Sequence, residues 1–379
     1  LQTTSSFYIT ATSLVTPLGI GTEENFSRLI QGHSGVERIY DPLLFPTVLP
    51  LAKFDEDFIH KSKQLFNTTT RFDCVLLACI NELQQQTPLD LSSPDVIIIL
   101  STTKGNVELL QDGLQNQKLF LSYSARLIQQ KLNNSNAPIV VSNACISGIS
   151  AIIIAKRLLA KGTYKHAVIV GCDVLTKFVI SGFASFHAIS TDRCKPFDKN
   201  RTGINLGEAA AAMILSSELA SQISVHGGYI SNDANHISGP SKTGEELSFC
   251  IHQSLKDAGL TNTDIGFILA HGTATDYNDE MESKAFSLSG LHYSPVFSLK
   301  AMYGHTLGAS GVLETIISAE CLKKQRILPN VGFSEKGVSG DIIISEELQQ
   351  KDVHTCLKTA SGFGGCNAAI ILKRSVAAN

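Results

Sequence analysis

Four short stretches of this chain hold residue types that can do chemistry together. Cys145 lies in Asn143-Ala-Cys-Ile-Ser-Gly148, where the apolar run Pro138–Ser142 gives way to a helical pattern over Ile146–Lys161. A thiol at the start of a helix faces free backbone N–H groups and the positive end of the helix dipole, which favour the thiolate. The same N–H groups can hold an oxyanion. His271 opens His271-Gly-Thr-Ala-Thr275, directly after the apolar run Gly266–Ala270. That position reads as the carboxyl end of a buried strand, where α/β proteins bind ligands. The alternate hydroxyls of Thr273 and Thr275 suit an extended, amide-bearing ligand. Lys300 and His305 follow the run Val296–Ser298 in Lys300-Ala-Met-Tyr-Gly-His305, and a lysine in such apolar sequence needs a partner. Glu314, on the next helical stretch, is the expected one. The fourth stretch is the glycine-rich Gly362-Phe-Gly-Gly-Cys-Asn367.

Each feature also has a plainer reading. Cys145 alone reads as a buried structural thiol, His271 as a loop residue among turn-forming threonines, and Lys300–Glu314 as a structural ion pair. The sequence shows no G-x-S-x-G, phosphate-binding G-x-x-x-x-G-K, post-strand G-x-G-x-x-G or H-E-x-x-H, and no C-x-x-C. Nucleotide-dependent and metallohydrolase chemistry therefore have no support, and no metal site is expected.

The elements that must position these residues follow from hydrophobic periodicity. Asp95–Leu100, Pro138–Ser142, Ala167–Val170 and Gly266–Ala270 read as buried strands. Phe72–Gln85, Ile146–Lys161, Glu245–Ala258, Asp279–Leu288 and Gly308–Lys323 read as helices, and the alternation argues for α/β layers. Ala144-Cys-Ile-Ser-Gly148 and Leu307-Gly-Ala-Ser-Gly311 both open helices that are apolar nearly all round, which predicts two buried central helices and a duplicated architecture. A reactive-looking residue, Cys145 or His305, stands just before each helix, 160 positions apart.

Of 379 residues, only 17% are charged and 43% are hydrophobic, with a net charge of −3. Such a chain buries much surface, within itself or against another subunit, and offers no electrostatic reason to bind nucleic acid. The apolar runs are too short to span a bilayer, Leu1–Thr4 does not open a signal peptide, and nine scattered cysteines fit a reducing compartment. A cytoplasmic location is expected.

The joint order of the four stretches resembles the β-ketoacyl-[acyl carrier protein] synthases, in particular the elongating type II condensing enzymes. Lys195-Pro-Phe-Asp-Lys-Asn-Arg-Thr-Gly203, Gly207-Glu-Ala209 and Asn232 to Pro240 are similar to further family segments. The resemblance implies a thiolase fold: two similar βαβαβαβ halves, 1–217 and 218–379, stacked as five α-β-α-β-α layers. It implies a homodimer, with a heterodimer as the alternative, and acyl- and malonyl-loaded carrier protein as partner. No cofactor is implied, since phosphopantetheine arrives on the carrier. Cys145 would be the nucleophile, and the N–H groups of Cys145 and Phe363 the oxyanion hole. His271 and His305 would stabilise the enolate from malonyl decarboxylation, with Lys300, paired with Glu314, fixing the geometry. Thr273 and Thr275 would bind the pantetheine amides, Phe363 would gate the acyl pocket, and Thr103 would help set its depth.

The sequence departs from that family in three places. Ser361 stands where a phenylalanine is usual, the stretch 115–135 is short and polar, and the carrier-docking segment Lys61–Arg71 is less basic. Two other readings are a non-catalytic subunit that sets chain length in a heterodimer, and a thiolase-like enzyme acting on coenzyme A thioesters. The first lacks the active cysteine, which is present here; the second needs another catalytic cysteine, for which Cys366 is the candidate.

Overall fold

The computed structural model describes residues 6–233 and 241–375, so most of the expected family segment between Asn232 and Pro240 lies outside the described residues. In the first half, β1 (Phe7–Thr16), α1 (Arg71–Gln85), β2 (Val96–Ser101), α2 (Leu121–Lys131), β3 (Ile139–Val141), α3 (Ser147–Ala160), β4 (His166–Asp173) and β5 (Ala209–Ser216) follow one another. In the second, β6 (Ile223–Asn232), α4 (Glu245–Ala258), β7 (Phe267–Leu269), α5 (Asp276–Leu288), β8 (Val296–Phe297), α6 (Ser310–Lys324), β9 (Thr355–Gly362) and β10 (Cys366–Arg374) repeat the order. The first sheet runs β1-β5-β4-β2-β3 and the second β6-β10-β9-β7-β8. In both, the first three strands are antiparallel and the last three parallel. Each half is thus the expected repeat, completed by one further antiparallel strand. The sheets meet edge to edge where Phe7 and Tyr8 pair with Val225 and Ser224.

Strand alternation sorts the side chains into layers. On β2, Val96, Ile98 and Leu100 pack against Phe72, Val75 and Ile80 of α1, while Ile97 and Ile99 face the middle of the molecule. On β7, Phe267 and Leu269 face that same middle, and Ile268 packs outward against Leu247 and Ile251 of α4 and Phe286 of α5. Between the sheets lie α3 and α6, buried on nearly every side, which is why both sequences lack a polar face. They cross at Gly148 and Gly311. A Cβ on Gly148 would sit 2.6 Å from the Val312 nitrogen, and one on Gly311 2.4 Å from the Ile149 nitrogen. Only glycine admits that approach.

The duplication is exact at the helix entries, in a register that corrects the expected spacing. Ala144 and Leu307 both take positive φ, +43° and +51°. Three residues later, Ser147 Oγ accepts from the Asn143 N–H at 2.8 Å, and Ser310 Oγ accepts from the Thr306 N–H at 3.1 Å. The repeat offset is therefore 163 residues, which makes Gly308 the counterpart of Cys145 and Ser142 that of His305. Cys145 and His305 are not equivalent positions; the halves contribute different chemistry from the same scaffold.

The expected helices are present within a few residues. Periodicity did not reveal β5, whose Ala209-Ala-Ala-Ala212 has helical propensity but lies between β1 and β4 and is fully buried there. The polar stretch 115–135 forms α2, with Ala125 and Ile128 buried against the β2 side of the outer layer.

Candidate active site

Both helix entries deliver side chains to one buried point. The left-handed Ala144 turns the chain from β3 into α3 and leaves Cys145 with its Sγ 2.9 Å from His305 Nε2. His305 is fixed from three directions. Its Nδ1 lies 3.0 Å from Ser310 Oγ, its N–H donates to Asn205 O at 2.7 Å, and its carbonyl accepts from the Gly207 N–H at 3.1 Å. His271 follows β7, its ring 5.2 Å from that of His305 and nearly perpendicular to it. One ligand atom from each of Cys145, His271 and His305 lies within 4.8 Å of the other two.

Buried charges lie close to this trio. Lys300 Nζ donates to Glu314 Oε1, and Glu314 Oε2 lies 2.7 Å from Lys358 Nζ on β9. The Glu282 carboxylate, on α5, accepts from the His271 and Gly272 N–H groups at 2.8 and 2.7 Å. Burial, and then the Lys300 charge, hold both imidazoles well below the ordinary histidine value, so they are neutral at physiological pH. Burial pushes the Cys145 thiol up to about 11, although the Lys300 charge and the Phe363 N–H pull it down. The resting group is therefore a thiol beside a neutral imidazole, and desolvation outweighs the thiolate preference expected at a helix start. A cysteine with two histidines is also a metal-binding set. The two lysine charges nearby oppose a divalent cation there.

The β-ketoacyl synthase N-terminal domain matches residues 5–220, and the β-ketoacyl synthase C-terminal domain matches residues 223–334. The chain belongs to the β-ketoacyl synthase family. Its curated relatives include 3-oxoacyl-[acyl-carrier-protein] synthase 2 of Coxiella burnetii, 27% identical over 97% of this chain and 98% of the relative. The enzyme of the same name from Rhizobium meliloti is 27% identical over the same shares. A chain from the complex of a ketosynthase with its chain length factor, from Xenorhabdus doucetiae, superposes with a TM-score of 0.87 at 24% identity, covering 99% of both chains. At that identity the likeness shows the fold, which is thiolase-like. The protein is thus an acyl-transferring condensing enzyme.

The remaining expected residues of the synthase are distributed as follows. Phe363 is 39% exposed, its backbone N–H is among the groups that favour the Cys145 thiolate, and Gly362 packs beside the Cys145 nitrogen. Its ring meets Phe183 and Phe186, at centroid distances of 5.7 and 5.4 Å, and Phe183 stands edge-on to His305. An aromatic path thus runs from the surface to the imidazole. The Thr273 and Thr275 hydroxyls bond each other at 2.8 Å around a left-handed Ala274. Thr103 donates its hydroxyl and its N–H to the buried Asp173 carboxylate, both at 2.9 Å, and the Gly308 N–H joins them at 2.7 Å.

Ser361 donates to Asn367 Oδ1 at 2.7 Å across the closing hairpin, filling with a hydrogen bond the place of the usual phenylalanine. Cys366 donates its S–H to Asn143 Oδ1 at 3.1 Å, so the sulfur that meets the histidines is that of Cys145. Arg71 is not part of a surface basic patch. It is buried and bound at 2.6 and 2.7 Å by both oxygens of Glu208.

Sequence reading misses Lys358, Glu282, Asp173 and Phe183. Lys358 left one usable signal: a lysine in the apolar strand Thr355-Cys-Leu-Lys-Thr-Ala360 must find an anion if that strand is buried. Glu282 left none, since Asp276-Tyr-Asn-Asp-Glu-Met-Glu282 reads as a solvated helix face.

Proposed function

We propose that this synthase extends an acyl chain by two carbons, condensing malonyl-[acyl carrier protein] with an acyl group held on Cys145, in fatty acid or related polyketide or polyene biosynthesis. The observation that carries this reading is the Cys145–His305 contact of 2.9 Å with His271 beside it. The Cys145 sulfur attacks the acyl thioester of a carrier protein. A new C–S bond forms, the carrier sulfur leaves, and the thiol proton passes to it. Malonyl-carrier protein then loses carbon dioxide. The electron pair of the broken C–C bond moves into an enolate, whose oxygen accepts N–H groups from His271 and His305. Neutral imidazoles suit that role, because they stabilise the oxygen without surrendering a proton to the carbanion.

The enolate carbon attacks the Cys145 thioester, and the N–H groups of Cys145 and Phe363 hold the tetrahedral oxyanion. Collapse expels the Cys145 sulfur, which regains a proton from solvent. Lys300, with Glu314, fixes the potential behind His271. Thr273 and Thr275 offer hydroxyls to the pantetheine amides, Phe363 gates the acyl channel, and Thr103 borders it. Carrier protein supplies the phosphopantetheine, and no other cofactor is needed.

The protein acts in the cytoplasm as a homodimer. In support, β3 is an edge strand whose Ile139 and Val140 remain half-exposed, and among the described residues no helix is long and apolar enough to cross a membrane. The chain-length-factor complexes among its structural neighbours favour one second reading, a heterodimer with such a partner. The deciding experiment uses the purified protein with malonyl-carrier protein and a panel of acyl-carrier proteins. Ketoacyl products from the protein alone support the homodimeric enzyme; products only after adding a second subunit support the heterodimer; none in either case contradicts the reading.

A further inference from the structure

Lys358 is absent from every step above, yet it is wholly buried in the middle of β9. Its Nζ forms an ion pair with Glu314 Oε2 at 2.7 Å and donates to the Ala270 carbonyl at 3.4 Å and to the Thr359 carbonyl. An amine has two N–H groups and a lone pair, whereas an ammonium has three N–H groups. Burial pulls the Lys358 ammonium below the usual lysine value, but the Glu314 carboxylate 2.7 Å away opposes that, and with two carbonyls also accepting from the nitrogen the ammonium form is the one that fits. Lys358 therefore belongs to a cluster of four buried charges, with Lys300, Glu314 and Glu282. Glu314 bridges the two lysines. Glu282 holds the His271 and Gly272 N–H groups and also accepts from Thr359 Oγ1 at 2.9 Å, next to Lys358 in the chain.

The signs balance, two against two, but the positions do not. The Glu282 carboxylate is engaged by backbone N–H groups, Asn278 and Thr359, while Glu314 must serve both lysines. The titratable groups around the imidazoles are Cys145 before α3, Lys300 after β8, Glu314 on α6, Glu282 on α5 and Lys358 on β9. Lys104 and Asp173 bear on Cys145 as well. Lys300 and Lys358 both disfavour protonation of the histidines.

We propose that Lys358 is a positioning residue for the condensing reaction, a built-in counter-cation that shares Glu314 with Lys300 and sets a fixed positive charge behind the two histidines. It touches no reacting atom. Its charge opposes imidazolium formation and so preserves neutral N–H donors for the enolate. Its ion pair and hydrogen bonds together tie the Glu314 carboxylate to β9 and to the end of β7, the strand that delivers His271. The inference rests on the proposal that His271 and His305 serve decarboxylation.

The test is the pH profile of malonyl-carrier protein decarboxylation by wild type and Lys358→Gln, which keeps a donor toward Glu314 and removes the charge. Without the cation the imidazoles protonate more easily, so the acid limb of the variant should lie about one pH unit or more above that of wild type. Lys358→Arg, which keeps the charge, should move it back. A folded Lys358→Gln protein with the wild-type acid limb overturns the assignment, even if its rate is lower, because a merely structural role lowers the rate without moving the limb. If Lys358→Gln does not fold, Lys358→Met, whose unbranched side chain fills similar space without the charge, is read in the same way. A wild-type protein that fails to decarboxylate at every pH contradicts the proposed function itself. A wild-type protein that succeeds, beside an unshifted variant, contradicts the role of Lys358 alone.

Discussion

Cys145 and His305 face each other as thiol and neutral imidazole because burial penalises both charged forms, and the two lysines add to that penalty on the imidazole side. Their neutrality has a consequence for pH. An ordinary histidine loses its neutral form below its usual value of 6.5, but these are held well below it. Wild-type decarboxylation should therefore keep its rate as pH falls through 6.5, measured by carbon dioxide release. A rate that halves near that pH would mean the imidazoles titrate normally. In the same assay Cys145→Ala should still decarboxylate, because the enolate donors are untouched, while His271→Ala and His305→Ala should each lose about 100-fold, the typical effect of removing one oxyanion donor. Cys145, His271 and Lys300 can be read from the sequence because each follows closely on a short apolar run that reads as a strand, and His305 because it closes the same motif as Lys300. Lys358 and Glu282 cannot, because their role depends on which strand and helix of the second half lie behind the site. Phe183 stays hidden for a similar reason: its helix, Lys177–Ser185, lies outside the repeat that the periodicity reveals.

At the scale of elements, the site depends on how closely α3 and α6 cross. The Gly148–Gly311 contact brings the two helix entries together, and with them Cys145 and the loop of His305. Gly311→Ala would force a methyl group against the Ile149 nitrogen. It should cost about 1–3 kcal/mol by overpacking and lower activity by parting thiol from imidazole. Thermal unfolding and condensing rate check both effects, and a variant with wild-type stability and rate would show that the crossing is looser. The paired motifs at 144–148 and 307–311 make this crossing readable in advance. What they do not show is the true register. Similar chemistry suggests matching Cys145 to His305, whereas the backbone matches left-handed Ala144 to Leu307, and Ser147 to Ser310, whose hydroxyls accept from the loop N–H groups of Asn143 and Thr306. The alanine-rich β5 is missed because its strand state is imposed by neighbours on both sides, against its local propensity.

The whole molecule inherits an acid sensitivity from its buried site. Unfolded, His271 and His305 take up protons below pH 6.5; folded, they do not. Stability is thus present above that pH and is lost as pH falls toward the depressed folded values, by about 1.4 kcal/mol per pH unit for each imidazole. Buried Asp279, raised to about 7 by burial, acts in the opposite direction, so the difference between proteins is the quantity to measure. The fall in Tm from neutral pH into this range should be smaller in a His271→Gln, His305→Gln double variant than in wild type; equal slopes would contradict neutral burial. The weak overall charge that suggests extensive burial is borne out within the chain, where two sheets enclose two apolar helices and leave little surface for either helix. Reading the sequence does not show that Arg71 joins this interior, bound to Glu208, because a lysine- and arginine-bearing segment looks solvated until the fold places a carboxylate against it. The most direct measurement is to incubate the protein with an acyl-[acyl carrier protein] alone, digest it, and locate the acyl group by mass spectrometry. The acyl thioester should map to Cys145 and vanish in Cys145→Ala; an adduct on Cys366, or none on a folded protein, would contradict the assignment of Cys145 as the nucleophile.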